Sequence, residues 1–130
     1  GLAEVAMRED VGLAAYSPLG AGTLTGKYIN GVLPKGSRRE MFPDFTTRYQ
    51  SSHTDIAIMK YKKLADERGI SLTQLAQKFV DTRPFMTTNI IGATTMDQLK
   101  ENMDAFDIEW DDELESAVNE IHRENPSPAP

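Results

Sequence analysis

Residues 16–28 read YSPLGAGTLTGKY, and they follow VGLAA at 11–15. The apolar run from Val11 to Tyr16 has the length and continuity of a strand buried on both faces in a parallel sheet. It breaks into a turn at Pro18 and three glycines, Gly20, Gly22 and Gly26, and ends on Lys27 and Tyr28. Most Gly/Pro loops only reverse the chain. A strand that stops in a glycine-rich loop carrying hydroxyls and a cation also suits an anion.

Two familiar phosphate motifs fail on this loop. The dinucleotide pattern G-x-G-x-x-G has one residue fewer than the spacing of Gly20, Gly22 and Gly26. The P-loop requires four residues between its glycines and then lysine and a hydroxyl; here three residues separate Gly22 from Gly26, and Tyr28 follows Lys27. If the loop holds a phosphate, it does so outside those two nucleotide folds.

Charge narrows the partners. The chain has 130 residues with a net charge of −6, which argues against nucleic acid or an anionic membrane as partner. Lys27, Lys35, Arg38 and Arg39 nevertheless fall together with no acid between them, whereas residues 97–124 hold eleven acids against Lys100 and Arg123. A basic segment directly after the glycine loop of an acidic protein fits a small anionic ligand better than a long polyanion. Hydrophobic content of 39% and charged content of 26% belong to the soluble globular class, at one domain's length. The sequence has neither an apolar run of membrane-spanning length nor a leader-like segment, and the absence of cysteine removes disulfides and thiolate metal sites. These features suggest a cytoplasmic location.

Periodicity places the remaining elements. Leu2, Val5 and Ala6 are spaced for a short helix over 2–9. Residues 28–52 have no sustained period, and a loop of that length is more often a lid or binding loop than filler, with partial disorder as the alternative. Residues 53–68 read as a helix with Ile56, Met59, Tyr61, Leu64 and Ala65 as its apolar positions, stopped by Gly69. Ser71 and Gln74 form a capping-box pattern before the stripe Leu72, Leu75, Ala76, Phe79 and Val80, which Pro84 ends. Residues 88–92 are a second strand candidate. Thr95 to Gln98 repeats the capping-box pattern and opens a helix with Leu99, Met103 and Phe106 on its apolar face. Asp111 caps a last helix whose face is Leu114, Ala117, Val118 and Ile121, and residues 125–130, with three prolines, read as an extended tail.

Strands alternating with helices point to a parallel α/β sheet. Two strands are too few for one, so the sequence reads as the last part of a larger α/β fold. The second strand runs through Gly92-Ala93-Thr94-Thr95 into a helix N-terminus, where free N–H groups and the helix dipole attract phosphate. Gln98, Glu101 and Asn102 share one side of that helix, placed to hydrogen-bond a base or ribose; a solvated polar face is the simpler reading. His53 and His122 stand alone at helix ends and read as surface or capping residues. No nucleophile triad or metal set emerges.

Three separated segments, AYSPLGAGTLTGKY at 15–28, PKGSR at 34–38 and IIGATTMDQLKEN at 90–102, resemble the cofactor-binding segments of the aldo-keto reductases. The likeness is closest to the Tas-like branch, itself similar to the potassium-channel β-subunits, and it covers essentially the whole chain. It implies the C-terminal portion, about strands 7 and 8 with their helices, of a (β/α)8 barrel with NADPH across its C-terminal rim. Residues 1–124 would be that partial barrel and 28–52 its cofactor clamp.

By the same resemblance Tyr16 would stack on the nicotinamide, and Ser17, Leu19 and Lys27 would hold the pyrophosphate, with Gly20 and Ala21 letting the backbone approach. Ser37 and Arg38 would lie near the phosphates of the adenosine half. Thr94 and Gln98 would face the ribose 2′-phosphate, with Gly92 on the same loop, and Glu101 and Asn102 would contact adenine. Many family members carry lysine and arginine where this chain has Gly92 and Gln98, so NADH stays open beside NADPH. Nothing in the chain matches the family's catalytic Asp, Tyr, Lys and His. The resemblance therefore implies a cofactor-binding portion that is inactive alone, partnered by the rest of its barrel or by a second copy. The alternative is a truncated, non-catalytic nucleotide-binding or interaction module that associates through exposed sheet edges.

Overall fold

The computed structural model describes residues 1–129. Helix α1 (Leu2–Arg8) leads into strand β1 (Leu13–Tyr16), and the glycine loop follows as 3-10 turns at Gly20–Thr25. The segment expected to be one long loop is instead broken into short helical turns: Ile29–Gly31, the four-residue helix α2 (Arg38–Met41), and Pro43–Tyr49. Turns of three to seven residues are too short to print a hydrophobic period on the sequence. Helices α3 (Ser52–Glu67) and α4 (Leu72–Asp81) come next, then strand β2 (Met86–Ile90), α5 (Met96–Asp104) and α6 (Asp112–Glu124).

The helix ends follow the sequence closely. Gly69 takes φ +68°, and the amides of Gly69 and Ile70 donate to the carbonyls of Asp66 and Ala65, both at 3.1 Å, which is the Schellman arrangement. Ser71 Oγ accepts from the Gln74 amide while Gln74 Oε1 accepts from the Ser71 amide, the reciprocal capping box. Asp111 caps α6 through the Leu114 amide at 2.7 Å. The expected box at Thr95 is only half made. Thr95 Oγ1 accepts from the Gln98 amide, but Gln98 Oε1 turns to Thr94 instead. Residues 125–129 are not an extended tail but turn back on α3, where the Pro128 carbonyl accepts from Ser51 Oγ and Thr54 Oγ1; Pro130 lies outside the described residues.

The core is helical. Ile58, Leu64 and Ala65 of α3 meet Leu72 and Leu75 of α4 and Leu114 and Val118 of α6, with Leu24 and Ile29 from the loop segment against them. Burying each large side chain contributes about 1.5–3 kcal/mol, so this three-helix contact is the main source of stability. In α3 the face that enters the core is Thr54, Ala57, Ile58, Leu64 and Ala65, whereas Ile56 and Met59 are half exposed. The polar Thr54 completes the helical stripe, and a reading limited to apolar residues misplaces it. In α5, likewise, Asn102 and the following Ala105 are buried while Met103 and Phe106 face outward.

The two strands pair in parallel, Ala14 opposite Thr88, Ala15 opposite Asn89 and Tyr16 opposite Ile90, with an irregularity between Leu13 and Ala14. Gly12 sits beside it; a Cβ there would lie 2.9 Å from Thr87 Cβ, so the close approach needs glycine. The second strand begins two residues earlier than expected because the Met86 amide closes a turn onto the Arg83 carbonyl at the Pro84 break. The sequence implies strands buried on both faces, yet helices cover only one. Ala14, Tyr16, Thr88 and Ile90 are exposed, and α1 buries no residue. An α-rich arrangement with a bare two-stranded parallel sheet is what part of a barrel would show.

Candidate functional site

Strand β1 ends at Tyr16, which is 79% exposed and lies opposite Ile90, so both strands deliver their C-terminal ends to one edge of the molecule. The chain then enters left-handed backbone repeatedly: Ser17 at φ +61°, Gly20 at +52°, Ala21 at +56° and Gly22 at +91°. Ser17 and Ala21 carry a Cβ in this region, a costly conformation that persists only where surrounding contacts hold it and that gathers at ligand clamps. Those contacts are local. The Gly20 amide donates to the Ser17 carbonyl, the Gly22 and Leu24 amides to the Leu19 carbonyl, and Thr25 Oγ1 to the Gly22 carbonyl.

Lys27 folds back over this loop. A Cβ added at Gly22 would lie 2.9 Å from Lys27 Cε and 3.0 Å from its Nζ, so the missing side chain is the seat of the lysine. Tyr49, from the turn Pro43–Tyr49, lies against Gly20 at 3.4 Å from where its Cβ would be. Arg39 ties the same parts together. Its guanidinium lies 4.1 Å from the centroid of the Tyr28 ring, and its Nη2 donates to Thr23 Oγ1 and to the Tyr49 carbonyl. Its Nε is sealed without a partner. The sequence gives neither Arg39 nor Tyr28 a site role: the basic segment holds Arg38 and Arg39 alike, and the resemblance picks Arg38. The structure separates them. Arg38 is exposed over Phe45, and Ser37 is buried as the cap of α2, accepting from the Glu40 amide.

The second loop is plainer. Gly92 has open space where a Cβ would go and needs no special backbone. Thr94 and Gln98 are brought together, since Gln98 Oε1 accepts from both the amide and the hydroxyl of Thr94, at 2.9 and 3.0 Å. Glu101 accepts from Ser71 Oγ at 2.6 Å, and the buried Asn102 accepts from Gln77 Nε2 at 2.8 Å. Helix α4 thus stands between the two loops: it packs on the glycine loop near Gly26, through Leu72, and bonds to both Glu101 and Asn102 of α5.

Electrostatics distinguish this edge. Among the described residues, none of the five cations from Lys27 to Arg48 has a carboxylate within ion-pair distance, whereas seven cations from Lys60 to Lys100 do. A phosphate-bearing ligand therefore meets cations that its host has not already neutralised. The unneutralised cations, the glycine seat of Lys27 and the exposed ring of Tyr16 all suit a flat, polyanionic cofactor. Among the described residues no three His, Cys, Asp or Glu side chains gather as a metal site, and no helix is long and apolar enough to cross a membrane.

Comparison with known proteins agrees with this geometry. The model of the Aldo/keto reductase family matches residues 1–123. Protein tas from Escherichia coli (strain K12) is 43% identical over 130 residues, covering 100% of this chain and 37% of that protein. A probable voltage-gated potassium channel subunit beta from Arabidopsis thaliana is 37% identical over 100 residues, 75% of this chain and 30% of that one. Among solved structures, the glycerol dehydrogenase AKR11B4 from Gluconobacter oxydans superposes with a TM-score of 0.71 at 27% identity, over 96% of this chain and 38% of its own. The chain therefore spans about a third of the length of these relatives, 30–38%. The family generally uses NADP(H). A match over nearly every residue, with two parallel strand ends and an uncompensated basic loop at one edge, shows that this chain belongs to the aldo/keto reductase family of oxidoreductases.

Proposed function

We propose that this chain is the cofactor-holding portion of an NADPH-dependent aldo-keto reductase, contributing about strands 7 and 8 of the barrel. The observation that carries the reading is the pairing of two adjacent parallel strand ends with a loop whose cations lack carboxylate partners. When bound, the reduced nicotinamide supplies a hydride, which in the whole protein would pass to the carbonyl carbon of an aldehyde or ketone, while a tyrosine outside this chain gives the alcohol its proton. Here Tyr16 stacks on the nicotinamide ring. Ser17, Leu19, Gly20, Ala21 and Lys27 hold the pyrophosphate, and Ser37 and Arg38 approach from the clamp. Gly92, Thr94 and Gln98 receive the ribose 2′-phosphate, and Glu101 and Asn102 the adenine. The cytoplasm is the location that goes with this reading.

Fluorescence titration of NADPH into the chain tests it. Saturable binding, weakened by Tyr16→Ala, without reduction of a generic aldehyde is the expected result. The absence of saturable binding sinks the cofactor reading, and turnover by the chain alone sinks the assignment of catalysis to residues elsewhere.

A second reading is motivated by the bare sheet. Its two strands have open outer edges, and such edges invite pairing. In this reading the chain is a non-catalytic nucleotide-binding module that associates with the rest of a barrel or with a second copy. Sedimentation at several concentrations separates the two readings, since a monomer at every concentration removes edge pairing between copies.

A further inference from the structure

Residues 125–129 fold back from the end of α6 onto the start of α3. Asn125 Nδ2 donates to the Ile121 carbonyl at 2.9 Å, and Ser127 takes φ +48°, a left-handed backbone that a residue with a Cβ keeps only where contacts hold it. Pro126 and Pro128 carry no amide proton and limit the freedom of the unfolded tail, so docking it costs little chain entropy. The contact it makes is specific. The Pro128 carbonyl can only accept, so Thr54 Oγ1, in a residue 3% exposed, commits its one proton there at 2.7 Å. Ser51 Oγ accepts from the Thr54 amide at 3.1 Å and shares its own proton between Thr54 Oγ1 at 2.9 Å and the Pro128 carbonyl at 3.3 Å. The cap of α3 and the anchor of the tail are one hydrogen-bonded unit.

That unit stands where the clamp joins the helical core. Among the described residues from 30 to 52 the buried ones are Ser37 and Thr46, both polar, so beyond Ile29 apolar burial does little to hold the clamp. A cavity of about 220 Å³ lies beside it, lined by Thr23, Tyr28 and Arg39 from the loop segment and by Asp55, Ile58 and Met59 from α3. Hydrogen bonds carry the load instead, and they start next to Ser51. Gln50 Nε2 donates to the Pro43 carbonyl at 3.2 Å and to Thr46 Oγ1 at 3.1 Å, closing the turn Pro43–Tyr49. The Tyr49 carbonyl accepts from Arg39, whose own amide donates to the Tyr28 hydroxyl at 3.2 Å. A segment held by hydrogen bonds, with few buried apolar contacts, opens at lower cost than a core. Fixing Ser51 therefore fixes the end from which the clamp would swing.

We propose that the tail is a strap: with its Pro128 carbonyl on Ser51 and Thr54 it anchors the α3 end of the clamp at 28–52 and thereby slows the release of a dinucleotide held under that clamp. The inference rests on the cofactor reading above. Thr54 is a positioning residue: it touches no ligand and acts through Ser51 and the turn behind it. Because the strap favours the closed clamp, it acts on release more than on association.

Two measurements on wild type, Thr54→Val, a chain ending at Asn125 and the two changes combined test the proposal. The first is stopped-flow release of NADPH, chased with excess NADP⁺. Each single change should speed release about threefold to tenfold, the worth of one neutral hydrogen bond, with association within about twofold of wild type. The combined change should release no faster than the shortened chain, because both remove the same bond. The second is amide exchange of the free chain. Shortening should lower protection at Arg39 and Gln50, whose amides bond to the Tyr28 hydroxyl and the Thr47 carbonyl, and leave Ala65 of the core unchanged. Unchanged release from the shortened chain, or unchanged exchange at Arg39 and Gln50, overturns the strap and leaves the cofactor reading standing. Additive effects of the two changes overturn it too, as does protection lost evenly through the core, which is the mark of a tail that only stabilises the fold. If circular dichroism shows Thr54→Val unfolded, the shortened chain decides. If NADPH does not bind saturably, the cofactor reading and the effect on release fall together, and exchange at Arg39 and Gln50 still decides whether the tail holds the clamp.

Discussion

The loop segment between Lys27 and Tyr49 and the helical segment from α3 to α6 treat charge in opposite ways. In the helical segment seven of the eight cations are neutralised, among them Lys60 by Glu124 at 2.6 Å, Arg68 by Asp111 at 2.9 Å and Arg83 by Glu115 at 2.5 Å. In the loop, four of the five cations lie on aromatic faces instead, Lys27 and Arg39 on Tyr28, Arg38 on Phe45 and Arg48 on Tyr49. A ring attracts a cation through its quadrupole and leaves the net charge in place. That difference lets a chain of net charge −6 keep a positive edge. It also implies that stability resides in one segment and ligand affinity in the other.

The largest effect that sharpens this division is Leu114→Ala. Leu114 is 2% exposed at the junction of α3, α4 and α6, and truncation should cost about 3 kcal/mol through lost burial and a residual cavity. Urea unfolding of the variant reads that loss directly. A cost below about 1 kcal/mol, no larger than that of a surface substitution, would mean that the helical segment is not the stabilising one.

A smaller effect comes from the cluster that ties α4 to α6. The Arg83 guanidinium beside Glu115 holds its carboxyl down at about 2, helped by bonds from Trp110 Nε1 and Asn119 Nδ2, against a usual value near 4.5. The folded state thus favours the ionised form. Stability from this group is fully present above about pH 4.5 and is lost as pH falls through that value toward 2. Glu115→Gln should cost about 1–2 kcal/mol at neutral pH and show a shallower decline in unfolding midpoint between pH 4.5 and 2. Parallel acid profiles for variant and wild type would remove the ion pair from the stability of this face.

Much of the helical segment is legible in the sequence because its signals are local. Gly69, the Ser71–Gln74 box and the Asp111 cap each act within a few residues, and the structure places each as read. The misplaced faces of α3 and α5 have one cause: Thr54 and Asn102 are buried polar residues whose partners, the Pro128 carbonyl and Gln77, are far away in sequence. Gln77 itself looks like any exposed helix glutamine until Asn89 is brought beside it. At the site, the glycine loop and the second strand-loop-helix are readable as a pair. The choice of Arg39 over Arg38 as the residue built into the fold is not, because it depends on a tyrosine ring eleven positions back.

The smallest effects on stability should be the most informative about the loop. Gly22 at φ +91° tolerates alanine only with strain of about 1 kcal/mol, and the new Cβ displaces only the flexible end of Lys27. Lys27→Met removes a cation with no carboxylate partner and should change stability by less than about 0.5 kcal/mol. The two variants differ in stability but should converge in binding, because both take the ammonium away from its seat over the glycine. Each should weaken NADPH several-fold, and raising salt should weaken wild type more than Lys27→Met, since the charge that salt screens is then absent. If Gly22→Ala binds NADPH as wild type does while Lys27→Met does not, the lysine acts from solution rather than from its glycine seat. If neither variant changes binding, the loop only reverses the chain, and its uncompensated cations need another explanation.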